Sequence, residues 1–174
     1  QERRYVATVD IVGAYLHALM KNRKILMTLD KNVVKIIIDI FPKWKEYVND
    51  DGSLHVMLKR ALYGCVQSAK LWYDHLSATL LEMGFTPNPK DPCVYNKGVG
   101  AAQITICFHV DDLMITSRNE HLIYEAIKQL ADKYKTIKRT CGDHHSYLGL
   151  SFDFSGKKFV KITAEKVINN LLGA

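Results

Sequence analysis

The chain has 174 residues and a formal net charge of +6, from 24 Lys and Arg against 18 Asp and Glu. Hydrophobic residues make up 48% and charged residues 24%, which excludes a disordered, collagen-like or low-complexity protein. A chain of this length buries roughly 70% of its unfolded surface without covalent staples, and no apolar run reaches the roughly 20 residues of a membrane-spanning helix.

In chain order, Tyr5 to Val9 reads as a buried strand, broken at Gly13, with Ala14 to Met20 as a short helix or turn. Ile25 to Leu29 is a second strand. Lys31 to Phe41 suits a strand by its β-branched run and a helix by its spacing; Asp30 as a cap favours the helix. The turn Asn49-Asp50-Asp51-Gly52 precedes a strand over Leu54 to Leu58. A helix beginning near Ser68 carries Trp72, Leu76, Leu80 and Met83 on one face, with Gly84 after it. Pro87, Pro89 and Pro92 predict an extended or looped stretch.

Ile104 to Val110 and Leu113 to Thr116 are strands. Asn119 caps a helix whose face is Leu122, Ile123, Ala126, Ile127, Leu130 and Tyr134. Tyr147 to Phe154 and Lys158 to Ile162 are strands around a Ser155-Gly156 turn. Thr163 caps a last helix with Ala164, Val167, Ile168 and Leu171 inward. Strands and helices that mix without strict βαβ order predict an α+β fold, an antiparallel sheet with helices on one face.

The positive balance tilts toward an anionic partner such as nucleic acid, with a plain basic surface as the other reading. Gln1-Glu2-Arg3-Arg4 is unlike a secretory signal, and a first residue other than Met suggests an excised piece. Cys65, Cys93, Cys107 and Cys141 are scattered, without zinc-ligand spacing, and are expected as reduced thiols of an intracellular protein. His144-His145 beside Asp143 reads as a Gly-flanked loop with a structural or solvent role.

Chemistry concentrates at Asp111-Asp112, set between two apolar strands. A two-residue hairpin turn favours Asn-Gly or Asp-Gly, and adjacent carboxylates at a core edge repel. A divalent cation removes that penalty, and oxygen-only ligands suit Mg²⁺ or Mn²⁺. Asp10, at the end of an apolar strand, is the third acid expected to face the pair. Such a cluster supports two-metal phosphoryl transfer. Taken singly, Asp-Asp also reads as a solvated turn and Asp10 as a helix cap.

His109-Val110-Asp111-Asp112 resembles the Tyr-x-Asp-Asp box of reverse transcriptases. Thr8-Val-Asp-Ile-Val-Gly-Ala-Tyr-Leu16 is similar to their first aspartate motif. Leu58-Lys-Arg-Ala-Leu-Tyr-Gly-Cys-Val-Gln-Ser-Ala-Lys-Leu-Trp-Tyr73 is similar to the Leu-Tyr-Gly-Leu-Lys-Gln-x-Pro-Arg-x-Trp-Tyr segment of copia-type retrotransposon polymerases. Gly84-Phe85, Asp91-Pro92-Cys93-Val94-Tyr95 and Tyr147-Leu148-Gly149-Leu150 follow in order, so the resemblance covers nearly the whole chain.

The resemblance implies a palm-centred fragment of an RNA-directed DNA polymerase, with palm and partial fingers over 1–140. A primer-grip-like hairpin and the start of a thumb would occupy 141–174. It implies Asp10, Asp111 and Asp112 as catalytic metal ligands for Mg²⁺ or Mn²⁺, with the Ile11 carbonyl adding a ligand. Tyr15 would stack under the incoming sugar and exclude a ribose 2′-hydroxyl, or else be a core aromatic. Gln67 would touch the incoming nucleotide, or be a polar residue at a helix start. Lys70 and His109 would contact primer or template; a solvated helix face and a tolerated strand partner are their other readings. Lys157, Lys158 and Lys161 could follow a nucleic-acid backbone or form a solvated face.

Partners implied are an RNA or DNA template with primer, deoxynucleoside triphosphates and the rest of a polyprotein carrying fingers, thumb and RNase H. No membrane is implied, and the location would be a cytoplasmic particle or the nucleus. Three departures stand out: His109 for Tyr, Cys65-Val66 for Leu-Lys, and Ala69 for Pro. Only nine residues precede Asp10, where the family has a longer fingers region. The alternative class is an inactive or incomplete reverse-transcriptase fold that binds nucleic acid or serves as a scaffold.

Overall fold

The computed structural model describes residues 3–20, 24–156 and 159–173. In chain order the elements are β1 (Tyr5–Ile11), α1 (Ala14–His17), β2 (Leu26–Leu29), α2 (Lys31–Ile40), β3 (Leu54–Met57) and α3 (Ser68–Glu82). There follow β4 (Thr86–Pro87), β5 (Val94–Lys97), β6 (Ile104–His109), β7 (Asp112–Ser117), α4 (Glu120–Tyr134) and β8 (Ile137–Cys141). The last are β9 (His144–Tyr147), β10 (Leu150–Asp153), β11 (Lys161–Thr163) and α5 (Glu165–Leu172). The fold is α+β, and the chain divides into two compact units, 1–14 with 72–174, and 15–71.

The larger unit is built on a six-stranded sheet in the order β4-β5-β6-β7-β1-β8, with every pairing antiparallel. Alternation along its central strands decides which face is dry. Ala7, Val9 and Ile11 of β1, Ile106 and Phe108 of β6, and Leu113 and Ile115 of β7 are all buried. Trp72, Leu76 and Leu80 of α3 join that core, with Ile123, Ala126, Ile127, Leu130 and Tyr134 of α4. Each fully buried large side chain contributes about 1.5–3 kcal/mol. The faces of α3 and α4 read from spacing are the ones turned to the core, with Met83 and Leu122 half-buried at their margins. Asn119 caps α4, its Oδ1 accepting from the His121 N–H at 3.0 Å.

The opposite face carries Thr8, Asp10, Cys107, Asp112 and Met114, by the same alternation and register. β9 runs beside β1 there. Buried His145 ties the two: the Thr8 Oγ1 lies 3.3 Å from its Nδ1, and its Nε2 lies 2.7 Å from the Gly142 carbonyl. His145 therefore sits in a strand, not a loop, and its role is structural.

Several expectations at the C-terminal end are corrected. Tyr147 to Phe154 is not one strand. Leu148 and Gly149 both take positive φ, 52° and 78°, and fold it into the β9–β10 hairpin. Thr163 closes β11 instead of capping the last helix; the N-cap is Ala164, without a side-chain bond. Val167, Ile168 and Leu171 of α5 are exposed, not inward. Besides the short β4 and the start of β9, two further strands have no clear sequence signal. β5 follows the proline-rich stretch, and β8 is a polar strand, Ile-Lys-Arg-Thr-Cys, that lacks apolar alternation.

The smaller unit pairs β2 with β3 in antiparallel register, from Leu26↔Met57 to Leu29↔Leu54. The ambiguous Lys31 to Phe41 stretch is helical, as α2. The Asp30 carboxylate accepts from the Asn32 and Val33 N–H groups at 2.7 and 3.3 Å, so the cap decided between the two periodicities. Arg60 donates to the Leu16 carbonyl at 2.9 Å. Buried Ser68 donates to the Leu62 carbonyl at 2.6 Å and closes the turn that carries Tyr63 and Gly64.

Candidate active site

The turn of the β6–β7 hairpin lies one residue earlier than the sequence spacing implied. His109 pairs with Asp112 across it, so the turn residues are Val110 and Asp111, and Asp112 already belongs to β7. Val110 takes φ of 55°. Positive φ at the first turn residue alone is the type II′ pattern, which normally has Gly there. A β-branched residue in that position is strained. Two hydrogen bonds hold the turn. The buried Trp72 indole Nε1–H donates to the Val110 carbonyl at 2.6 Å, and the Ile11 N–H donates to the Asp111 carbonyl at 3.0 Å.

The register places Asp10 of β1 directly opposite Asp112, and Lys138 of β8 opposite Asp10. Paired residues of antiparallel strands share a face. His109, Asp112, Asp10 and Lys138 thus form one row across four strands, with Asp111 in the adjoining turn. The expected approach of Asp10 to the hairpin is therefore present in the fold. Lys138 Nζ stands 3.5 Å from Asp10 Oδ2, an exposed pair of small energetic weight.

Electrostatics mark the row as short of positive charge. Burial first, then the Asp111 and Asp10 carboxylates, push the Asp112 carboxyl above its usual range, and His109 opposes them. Next to it, burial pushes the Tyr147 hydroxyl up, reinforced by Cys107 and by Asp112. Among the described residues, no group of three or more His, Cys, Asp and Glu side chains already converges closely enough to hold a metal. The donor set nonetheless suits a hard cation: three neighbouring carboxylates, one raised by burial and by its neighbours and one engaged by an ammonium. Mg²⁺ takes one or two carboxylates and completes its shell with water and phosphate, so it does not require a closed protein cage.

Tyr15, Gln67 and Lys70 lie in the smaller unit. Half-buried Tyr15 packs its ring 4.4 Å from that of Tyr63, tilted by 42°. Gln67 is half-buried, and its carbonyl accepts from the Leu71 N–H at 3.0 Å at the start of α3. Lys70 is exposed on the first turn of α3. Lys161 opens β11, while Lys157 and Lys158 lie outside the described residues. Reading the sequence missed Trp72 as more than a core residue, and Lys138 altogether. Trp72 lies in the matched segment but gains Val110 only through packing of α3 against the sheet, and Lys138 gains Asp10 only through sheet order.

Residues 1–173 match the family described as reverse transcriptase (RNA-dependent DNA polymerase). The chain belongs to that family. Among curated relatives, the Transposon Ty1-NL2 Gag-Pol polyprotein of Saccharomyces cerevisiae is 25% identical over 174 residues, 97% of this chain and 9% of the polyprotein. The truncated transposon Ty1-A Gag-Pol polyprotein of the same yeast is 25% identical, over 97% of this chain and 13% of its own length. This reverse transcriptase chain thus spans about a tenth of the length of the curated relatives it matches.

Among solved structures, telomerase from Candida albicans, in complex with a TWJ fragment of telomeric RNA, aligns with TM-score 0.48 and 8% identity. It covers 93% of this chain and 32% of the telomerase. Apo telomerase from Candida tropicalis, truncated from its C-terminal domain, aligns with TM-score 0.46 and 13% identity, over 92% and 35%. Cys65, Cys93 and Cys107 are half-buried free thiols and Cys141 is an exposed one. Among the described residues no helix is long and apolar enough to cross a membrane.

Proposed function

We propose that this chain carries the catalytic row of a retrotransposon RNA-directed DNA polymerase. A primer 3′-hydroxyl attacks the α-phosphorus of a deoxynucleoside triphosphate, and pyrophosphate leaves. The observation that carries the reading is the cross-strand pair Asp10↔Asp112, with Asp111 in the adjoining turn. Asp10 and Asp111 are the residues assigned to hold Mg²⁺ or Mn²⁺, with the Ile11 carbonyl, and Asp112 completes the acidic cluster. When bound, the metals lower the pKa of the attacking hydroxyl and neutralise charge on the triphosphate.

The protein supplies placement rather than covalent chemistry. His109, at the exposed end of the row, is assigned to the primer or template backbone, as is Lys70. Tyr15 is assigned to the incoming sugar and Gln67 to the nucleotide, both on the strength of the matched motifs. The palm with partial fingers is assigned to 1–140, and the primer-grip-like hairpin with the start of a thumb to 141–174. Template, primer and triphosphate are the proposed partners, within a polyprotein that supplies fingers, thumb and RNase H. A cytoplasmic particle or the nucleus is the proposed location.

The test is incorporation opposite a defined RNA template, with deoxy- and ribonucleoside triphosphates offered in turn. The reading predicts template-matched deoxynucleotide addition, and Tyr15→Ala is predicted to admit ribonucleotides at least about 10-fold better, the effect of one lost steric exclusion. Binding of primer and template without template-matched addition would favour the non-catalytic alternative.

A further inference from the structure

We infer that Trp72 is a positioning residue for the acidic turn: its indole N–H selects the turn geometry that presents Asp111. The inference rests on the polymerase reading for its meaning and on geometry for its content. The Val110–Asp111 peptide is the central peptide of the hairpin turn, and the turn types I′ and II′ differ by a flip of that peptide. Its carbonyl is the group that Trp72 holds, at 2.6 Å. Val110 is an unfavourable residue for the φ of 55° it adopts, so the turn has no intrinsic reason to choose this conformer and requires an external hold.

The hold is rigid. Trp72 is 1% exposed, with the Tyr134 ring edge-on at 5.6 Å. Tyr134 in turn donates to Thr79 Oγ1 at 3.0 Å. On the other side of Asp111, its own carbonyl is taken by the Ile11 N–H. Both carbonyls flanking the Asp111 Cα on the turn are therefore fixed, one from the helix layer and one from β1. Without the indole bond, a half-buried carbonyl loses this partner and the central peptide can flip.

The experiment replaces Trp72 by β-(3-benzothienyl)alanine, which keeps the ring volume and replaces the N–H by sulfur. Tyr134→Phe serves as a control that loosens the same packing layer without touching the turn. Two readouts are taken on the whole chain. The backbone amide signals of Val110, Asp111 and Asp112 report the turn without metal, and Mn²⁺ binding is followed by water-proton relaxation.

The inference predicts shifted or doubled turn amides in the isostere, Mn²⁺ affinity weaker by about 5-fold, as expected for one lost hydrogen bond, and neither change in Tyr134→Phe. Unchanged turn amides in the isostere would overturn it, as would equal changes in Tyr134→Phe, which would mean simple loss of packing. If Asp111→Asn binds Mn²⁺ as well as the wild type does, the metal reading fails instead, and the turn amides alone decide the anchor.

Discussion

At the scale of single residues, Asp112 carries an electrostatic burden that the fold tolerates for the sake of the row. Its carboxyl is raised by burial and by Asp111 and Asp10, so the folded chain binds that proton more tightly than the unfolded chain does. Stability from this group is therefore present at acid pH and lost as pH rises from the ordinary carboxylate range through the raised folded value. Asp112→Asn is predicted to raise stability at pH 7 by about 0.5–1 kcal/mol, the scale of a like-charge cross-strand pair. That is a Tm gain of about 1–4 °C, and it fades as pH falls through the ordinary carboxylate range, vanishing well below about pH 3.9, where the wild-type carboxyl is neutral in both states. Thermal melts of both proteins across pH check it. A gain that persisted in acid would point to lost packing instead of charge.

Among elements, the hairpins show what local sequence can and cannot convey. Apolar strands flanking Asp111-Asp112, the α4 face and its Asn119 cap were legible because each is a local pattern. The turn itself was misplaced by one residue, since Val110 adopts a conformation no valine selects unaided. Leu148 misled in the same way: an apolar residue inside an apolar run reads as strand, yet it sits at φ 52° in the β9–β10 turn. Leu148 is half exposed there, so its backbone cost is not offset by burial. Leu148→Asn is predicted to stabilise the chain by about 0.5–1 kcal/mol, because Asn accepts the left-handed region more readily. Urea unfolding measures it, and destabilisation would mean that the Leu148 side chain packs more than its exposure indicates.

At the scale of the whole molecule, the sheet order β4-β5-β6-β7-β1-β8 is what turns separated motifs into a site. Asp10 and Asp112 are 102 positions apart in sequence and become direct neighbours only because β1 inserts between β7 and β8. That insertion has no sequence signal of its own; β8 lacks apolar alternation, and its Lys138 acquires a role solely by lying beside Asp10. The acids themselves were legible through the ordered motifs, and family membership rests on a match over residues 1–173. The positive charge of +6 suits a polyanionic partner. The most direct measurement of the central claim is extension of a primer on an RNA template with Mg²⁺ or Mn²⁺, wild type beside Asp111→Asn. The account predicts metal-dependent extension by the wild type, falling at least about 100-fold in the variant, as for other transition-state electrostatic groups. Equal extension by both proteins would contradict the assignment of the acidic row as the catalytic centre.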